Sequence, residues 1–179
     1  MKIKVMYRAQ CLAAALGYGP EYDAENIDEP TLIISISSTD DKLPLIMNEA
    51  DNENIRHIEY LQFDDIDTAE SVHGLKPMSD EDARCIVNHP ALKYVAPPRP
   101  YRRGTLPSNF ADTFLQYVDK VSQIIVHCDA GYSRSPAVAA ALAKALGESD
   151  EEFFGHDYCI NNHVYTTLLK QLSERKILK

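Results

Sequence analysis

Three short apolar runs, each closed by polar or small residues, punctuate the chain. "TLIISIS" at 31–37 is β-branched and lies between Pro30 and "STDD", the composition of a buried strand. "RHIEYLQF" at 56–63 mixes aromatic and aliphatic residues and stops at "DDID", which predicts a second strand. "SQIIVHC" at 122–128 predicts a third, and its continuous apolar centre fits a strand buried on both faces, as in a mostly parallel sheet.

Between and after these runs the period changes to that of a helix. Ser79 precedes "DEDARCIVNHP" with Asp82 three residues on, a pattern like a capping box, and Pro90 supplies the stop. Phe110, Phe114, Val118 and Val121 recur at helical spacing just ahead of the third strand. Pro136 suits the first turn of the next helix and Gly147 its C-terminal cap. Ser149 with Glu152 reads as another capping box, and the stripe Val164, Leu168, Leu169, Leu172 predicts a last helix over 163–176, capped by Asn161 or Asn162. Segment 96–107 carries four of the ten prolines and predicts a loop. This alternation implies an α/β fold, a central mostly parallel sheet flanked by helices, in one domain spanning 1–179.

Charge and cysteine usage narrow the partners. A formal net charge of −9 opposes a surface that grips nucleic acid or anionic lipid through phosphate contacts. "RPYRRG" at 99–104 is a local exception, read as a solvated basic loop or a guide for an anionic substrate. The four cysteines, Cys11, Cys85, Cys128 and Cys159, form no C-x-x-C pair, so neither a zinc ribbon nor a disulfide framework is suggested and a reducing, cytoplasmic setting is expected. The start, "MKIKVMYRAQCLAAALGYGP", has the basic-then-apolar outline of a signal peptide. Gly17 interrupts its short apolar run, and no apolar span of about 18 residues exists, so neither secretion nor a membrane partner is expected.

The chemistry concentrates at "HCDAGYSRSP". A strand ending in Cys128 and turning into a helix aims that side chain at the helix N-terminus, where free N–H groups and the helix dipole favour an anion, thiolate or phosphate alike. Asp129, Ala130, Gly131, Tyr132 and Ser133 form a five-residue arch, in which Ala130, Gly131 and Ser133 are small enough for successive N–H groups to converge on oxygens. Arg134 closes the arch with a fork that can pair with two oxygens of a phosphoryl group. Ser135 is placed to donate a hydrogen bond to the Cys128 sulfur, and His127 to orient the loop and help keep the thiol ionised. The plain alternative is a strand-to-helix turn in which Cys128 is a buried small hydrophobe.

"HCDAGYSRS" resembles the signature of the cysteine-dependent protein tyrosine phosphatases, and "GYSRSP" is similar to their dual-specificity branch. The resemblance covers roughly residues 30 to 145. It implies a three-layer sandwich, hydrolysis through a covalent cysteinyl-phosphate without metal or other cofactor, and a phosphorylated protein or small phosphomonoester as substrate. Three features depart from the family pattern. The bulky residues that follow the signature are replaced by "AVAAAL", Asp129 puts a negative charge beside the arch, and an inserted helical or loop segment at about 68–107 separates the acidic loop from the cysteine.

The family also places a general acid in the loop after the preceding strand, because the expelled alkoxide or phenoxide needs a proton. Here "LQFDDIDTAE" offers three aspartates. Asp65 best matches that position counted from "YLQF"; Asp64, as a group that fixes the loop, and Asp67, as a cap, are the alternatives, and a solvated acidic turn is the plain reading of all three. A metal site at Cys85, His89 and His73, or at Cys159 with His156 and His163, lacks a full ligand pattern, so no metal is expected. Competing functions are a catalytically silent phosphate-binding module and a phosphatase of a non-protein substrate such as a phosphoinositide, a nucleotide or an RNA 5′ phosphate.

Overall fold

The computed structural model describes residues 1–38, 52–66 and 121–174. Four strands, β1 (Lys2–Tyr7), β2 (Thr31–Ser37), β3 (Ile55–Gln62) and β4 (Gln123–Cys128), form one sheet in the order β1-β4-β2-β3. Every pairing in it is parallel. Helix α1 (Arg8–Ala15) follows β1 directly, α2 (Arg134–Leu146) follows the cysteine loop, and α3 (Asn162–Glu174) comes last.

Alternation along the strands divides the core in two. Leu32, Ile34, Ile124 and Val126 face α2 and α3, while Ile33 and Ile125 face α1 with Cys11 and Ala14. A sheet buried on both faces in this way gives three layers, an α/β sandwich. The bulge in β3 between its pairings with Thr31 and Leu32 shifts the strand by one residue, which puts Ile55 and Ile58 on the same face.

The "AVAAAL" run now has a physical reason. Helix α2 lies between the sheet and α3, and Ala137 to Ala143 are buried on every side, so small residues let its backbone approach both neighbours. Gly147 ends the helix at φ 77°. Val164, Leu168 and Leu172 of α3 are fully buried against it, and Leu169 is partly buried.

The N-terminal segment, to which the hydrophobic pattern assigned no element, is a strand followed by a helix. Its alternation of Lys2 and Lys4 with Ile3 and Val5 makes an edge strand, with Lys2 paired to Glu29 at 2.8 Å and Lys4 paired to Glu25. "RAQCLAAA" follows it as α1. Ser149 and Glu152 form no capping box: residues Glu151–Phe154 make a 3₁₀ turn, with Ser149 Oγ accepting from the Glu151 N–H at 3.3 Å. The expected helices at 79–90 and 110–120, the loop at 96–107 and the insertion at 68–107 lie outside the described residues. Among the described residues no helix is long and apolar enough to cross a membrane.

Candidate functional site

Parallel strands deliver their carboxyl ends to one edge of the sheet, where ligands of open α/β folds bind. Cys128 ends β4 in register with Tyr7 at the end of β1. Gly131 carries the arch over that neighbouring strand. It sits at φ 67°, and a Cβ there would meet Met6 C and O and Tyr7 N at 2.9 Å, so no other residue fits without displacing β1. From the other side, Cys159 N–H donates to Tyr132 O at 3.0 Å and Asn161 N–H to Ser133 O at 3.3 Å. The arch is thus held between β1 and the segment that leads into α3.

Cys128 is buried at the base of the arch, its Sγ 3.2 Å from the hydroxyl of Ser135 in the first turn of α2. His127 points to the opposite face of the sheet. Its imidazole is fully buried, and burial pushes its pKa down to about 4 against a smaller opposing effect of the Cys128 backbone. His127 thus stands next to Cys128 in the strand with its ring on the face away from the arch.

Arg134 is buried, with three of its N–H donors engaged. Nη1 donates to Ser38 Oγ at 3.1 Å and to Phe63 O at 2.9 Å, and Nη2 to Asp129 Oδ2 at 2.8 Å. Nε–H has no hydrogen-bond partner among the described residues. A guanidinium anchored to the ends of β2 and β3 and still holding a buried, unpaired N–H is built to receive an oxyanion. The carboxylate of Asp129 also pairs with Arg8, the first residue of α1, whose backbone N–H donates to Asp129 O at 3.3 Å. Asp129 therefore bridges two guanidinium groups. Nothing near Arg8 in the sequence singles it out, because its place beside the loop follows from the β1–β4 pairing.

The two described aspartates of the acidic loop part ways. Asp64 is buried, while Asp65 is exposed and its Oδ1 accepts from Ser133 Oγ at 2.7 Å and Asn161 Nδ2 at 2.8 Å. Asp65 is thereby fastened to the rim of the arch; Asp67 lies outside the described residues. Asn161 is the N-cap of α3, accepting from Val164 N–H at 3.0 Å, and its link to Asp65 is a second task that capping propensity does not reveal. Ala130 and Tyr132 are exposed on the arch.

Among the described residues no group of three or more His, Cys, Asp or Glu side chains could hold a metal ion. Cys11, Cys128 and Cys159 are free thiols, and Cys159 is exposed. Cys85, His73, His89 and the arginines at 99–104 lie outside the described residues.

No protein-family model matches the chain, and no curated protein matches it. Two solved structures are similar in shape. The crystal structure of PTPMT1 in complex with PI(5)P aligns with a TM-score of 0.46 and 12% identity, over 98% of this chain and 92% of that one. The crystal structure of PTPMT1 alone aligns with a TM-score of 0.44 and 13% identity over the same shares.

Proposed function

We propose that this protein is a phosphomonoester hydrolase of the cysteine-dependent protein tyrosine or dual-specificity phosphatase type. The observation that carries the proposal is the grouping at the start of α2: Cys128 Sγ lies 3.2 Å from Ser135 Oγ, beside a buried Arg134 whose Nε–H is unpaired. A silent phosphate-binding module has no need of a thiol at the base of the arch with a hydroxyl placed to serve it.

In the proposed reaction the Cys128 thiolate attacks phosphorus, forming an S–P bond as the ester P–O bond breaks. Asp65 gives its proton to the departing oxygen. Arg134 and the arch N–H groups hold the equatorial oxygens, whose charge is shared through the transition state. Asp65, now a carboxylate, takes a proton from water, whose oxygen attacks phosphorus and expels the Cys128 sulfur. Ser135 donates its hydroxyl hydrogen bond to that sulfur as the S–P bond breaks. Phosphorylated protein, phosphotyrosine above all, is the proposed substrate class, in a reducing cytoplasm that keeps the thiol free.

The test compares wild type with Cys128→Ser on a chromogenic aryl phosphate, then on phosphopeptides, phosphoinositides and 5′-phosphorylated RNA. Cys128→Ser should lose turnover by more than about 10³-fold while still binding vanadate, since the arch and Arg134 remain. Residual activity within about tenfold of wild type would sink the covalent route.

A further inference from the structure

We propose that Arg8 is a positioning residue of this site: it offsets the Asp129 carboxylate so that Asp129 does not cancel the charge Arg134 offers to an incoming phosphoryl group. The proposal rests on the hydrolase reading for its ligand, a phosphate dianion, but on separate observations for its residue.

Asp129 stands beside the anion-binding guanidinium, with Oδ2 on Arg134 Nη2 at 2.8 Å and Oδ1 against Arg8 Nη2. By itself a carboxylate in that place would cancel the charge of Arg134 and repel a dianion. Of these three side chains, Arg8 and Arg134 are positive and Asp129 is negative. Arg8 is fixed in this position twice over, by its side chain and by the backbone hydrogen bond from its N–H to Asp129 O at 3.3 Å. That second bond continues the β1–β4 pairing beyond Tyr7 and Cys128, so the strand that supports Gly131 also delivers the arginine.

Stability does not account for the arrangement. Asp129 is 41% exposed and Arg8 28% exposed in their side chains, and half-solvated ion pairs contribute little to folding. The charge balance bears instead on the ligand, because Arg134 is nearly enclosed and its field is felt by whatever enters the arch. Asp129 in turn holds one Nη2 donor of Arg134 in place, and Arg8 lets it do so without an electrostatic penalty to anion binding.

The experiment measures inorganic phosphate binding by calorimetry in the Cys128→Ser background, so that turnover is not required. Added to it are Arg8→Gln, Arg8→Lys, Asp129→Asn and the double change Arg8→Gln/Asp129→Asn, with circular dichroism and thermal melts confirming that each variant folds. Arg8→Gln should bind about tenfold more weakly, since one positive charge is lost beside an acid left uncompensated. Arg8→Lys should stay within about threefold, because charge rather than the planar fork is needed. The double change restores the original charge balance and should return affinity to within about threefold of the parent. Arg8→Gln equal to the parent, Arg8→Lys as weak as Arg8→Gln, or a double variant no better than Arg8→Gln would each overturn the proposal. The predicted order of affinities in a protein whose wild type shows no turnover would uphold Arg8 and overturn the hydrolase reading alone. Normal turnover with no response at Arg8 would do the reverse, and absence of phosphate binding in every variant would overturn both.

Discussion

The side-chain amide of Asn161 donates to Asp65 Oδ1 at 2.8 Å while its own Oδ1 accepts from Val164 N–H at 3.0 Å. One residue therefore ties the start of α3 to the loop after β3. Ser133 Oγ supplies a second donor to the same Asp65 oxygen, so among the described residues both contacts fall on Oδ1 and Oδ2 is the oxygen assigned to carry the transferred proton.

Asn161→Ser should separate the two tasks of that residue. Serine caps a helix nearly as well as asparagine, so the melting temperature should move by only a few degrees. Its side chain is too short to hold Asp65, and kcat/KM for phenyl phosphate should fall about tenfold. A variant that loses activity only in proportion to its folded fraction would show that the asparagine does no more than cap.

Asp65→Asn should slow alkyl and phenyl phosphates by about 10²–10⁴-fold, the range for a lost general acid, and slow aryl phosphates with very acidic leaving groups much less. Plotting kcat against leaving-group pKa for wild type, Asp65→Asn, Asp64→Asn and Asp67→Asn decides the assignment. Uniform loss across leaving groups in Asp65→Asn would give that residue a structural role in the loop instead.

Gly131→Ala should damage the arch more than an exposed-loop substitution does. It adds a Cβ 2.9 Å from the Met6 and Tyr7 backbone at a residue with φ 67°, a strain of about 1–3 kcal/mol before any steric displacement of β1. Urea unfolding and vanadate inhibition should both register it. Wild-type values in the two assays would mean that the arch does not press on β1.

Acid should weaken the fold through the buried His127 and the half-buried His57. Burial holds both His57 and His127 at about 4, against an ordinary value of 6.5. Between those values the unfolded chain takes up protons that the native rings refuse. Stability is therefore complete above about pH 6.5 and falls as pH drops toward 4, by up to about 1.4 kcal/mol per pH unit for each histidine. Urea midpoints at pH 7.5 and pH 5 should differ less in His127→Phe than in wild type. An unchanged difference in that variant would show that His127 contributes nothing to the acid sensitivity.

Much of the frame was legible because it is written in local order. Short apolar runs, β-branched or aromatic, marked β2, β3 and β4, Gly147 and the pair Asn161 and Asn162 marked helix ends, and Cys128, Arg134 and Ser135 belong to one continuous strand–turn–helix stretch. A short turn cannot carry these three side chains far apart, so the sequence alone was enough to group them. β1 is not marked locally, because its short alternation of lysines and aliphatics becomes a strand only through its pairing with β4.

Tertiary structure alone decided what meets that stretch. The strand order β1-β4-β2-β3 sets the end of β1 beside Cys128, and with it Arg8 beside Asp129 and the Tyr7 backbone beneath Gly131. The same order brings Phe63 O to Arg134, and the packing of α3 brings Asn161 to Asp65. It also turned His127 away from the thiol, since successive side chains of a strand point to opposite faces. Periodicity and turn chemistry act over a few residues, whereas these partners are joined by parallel pairing and helix packing across most of the chain, and only the folded sheet carries that information.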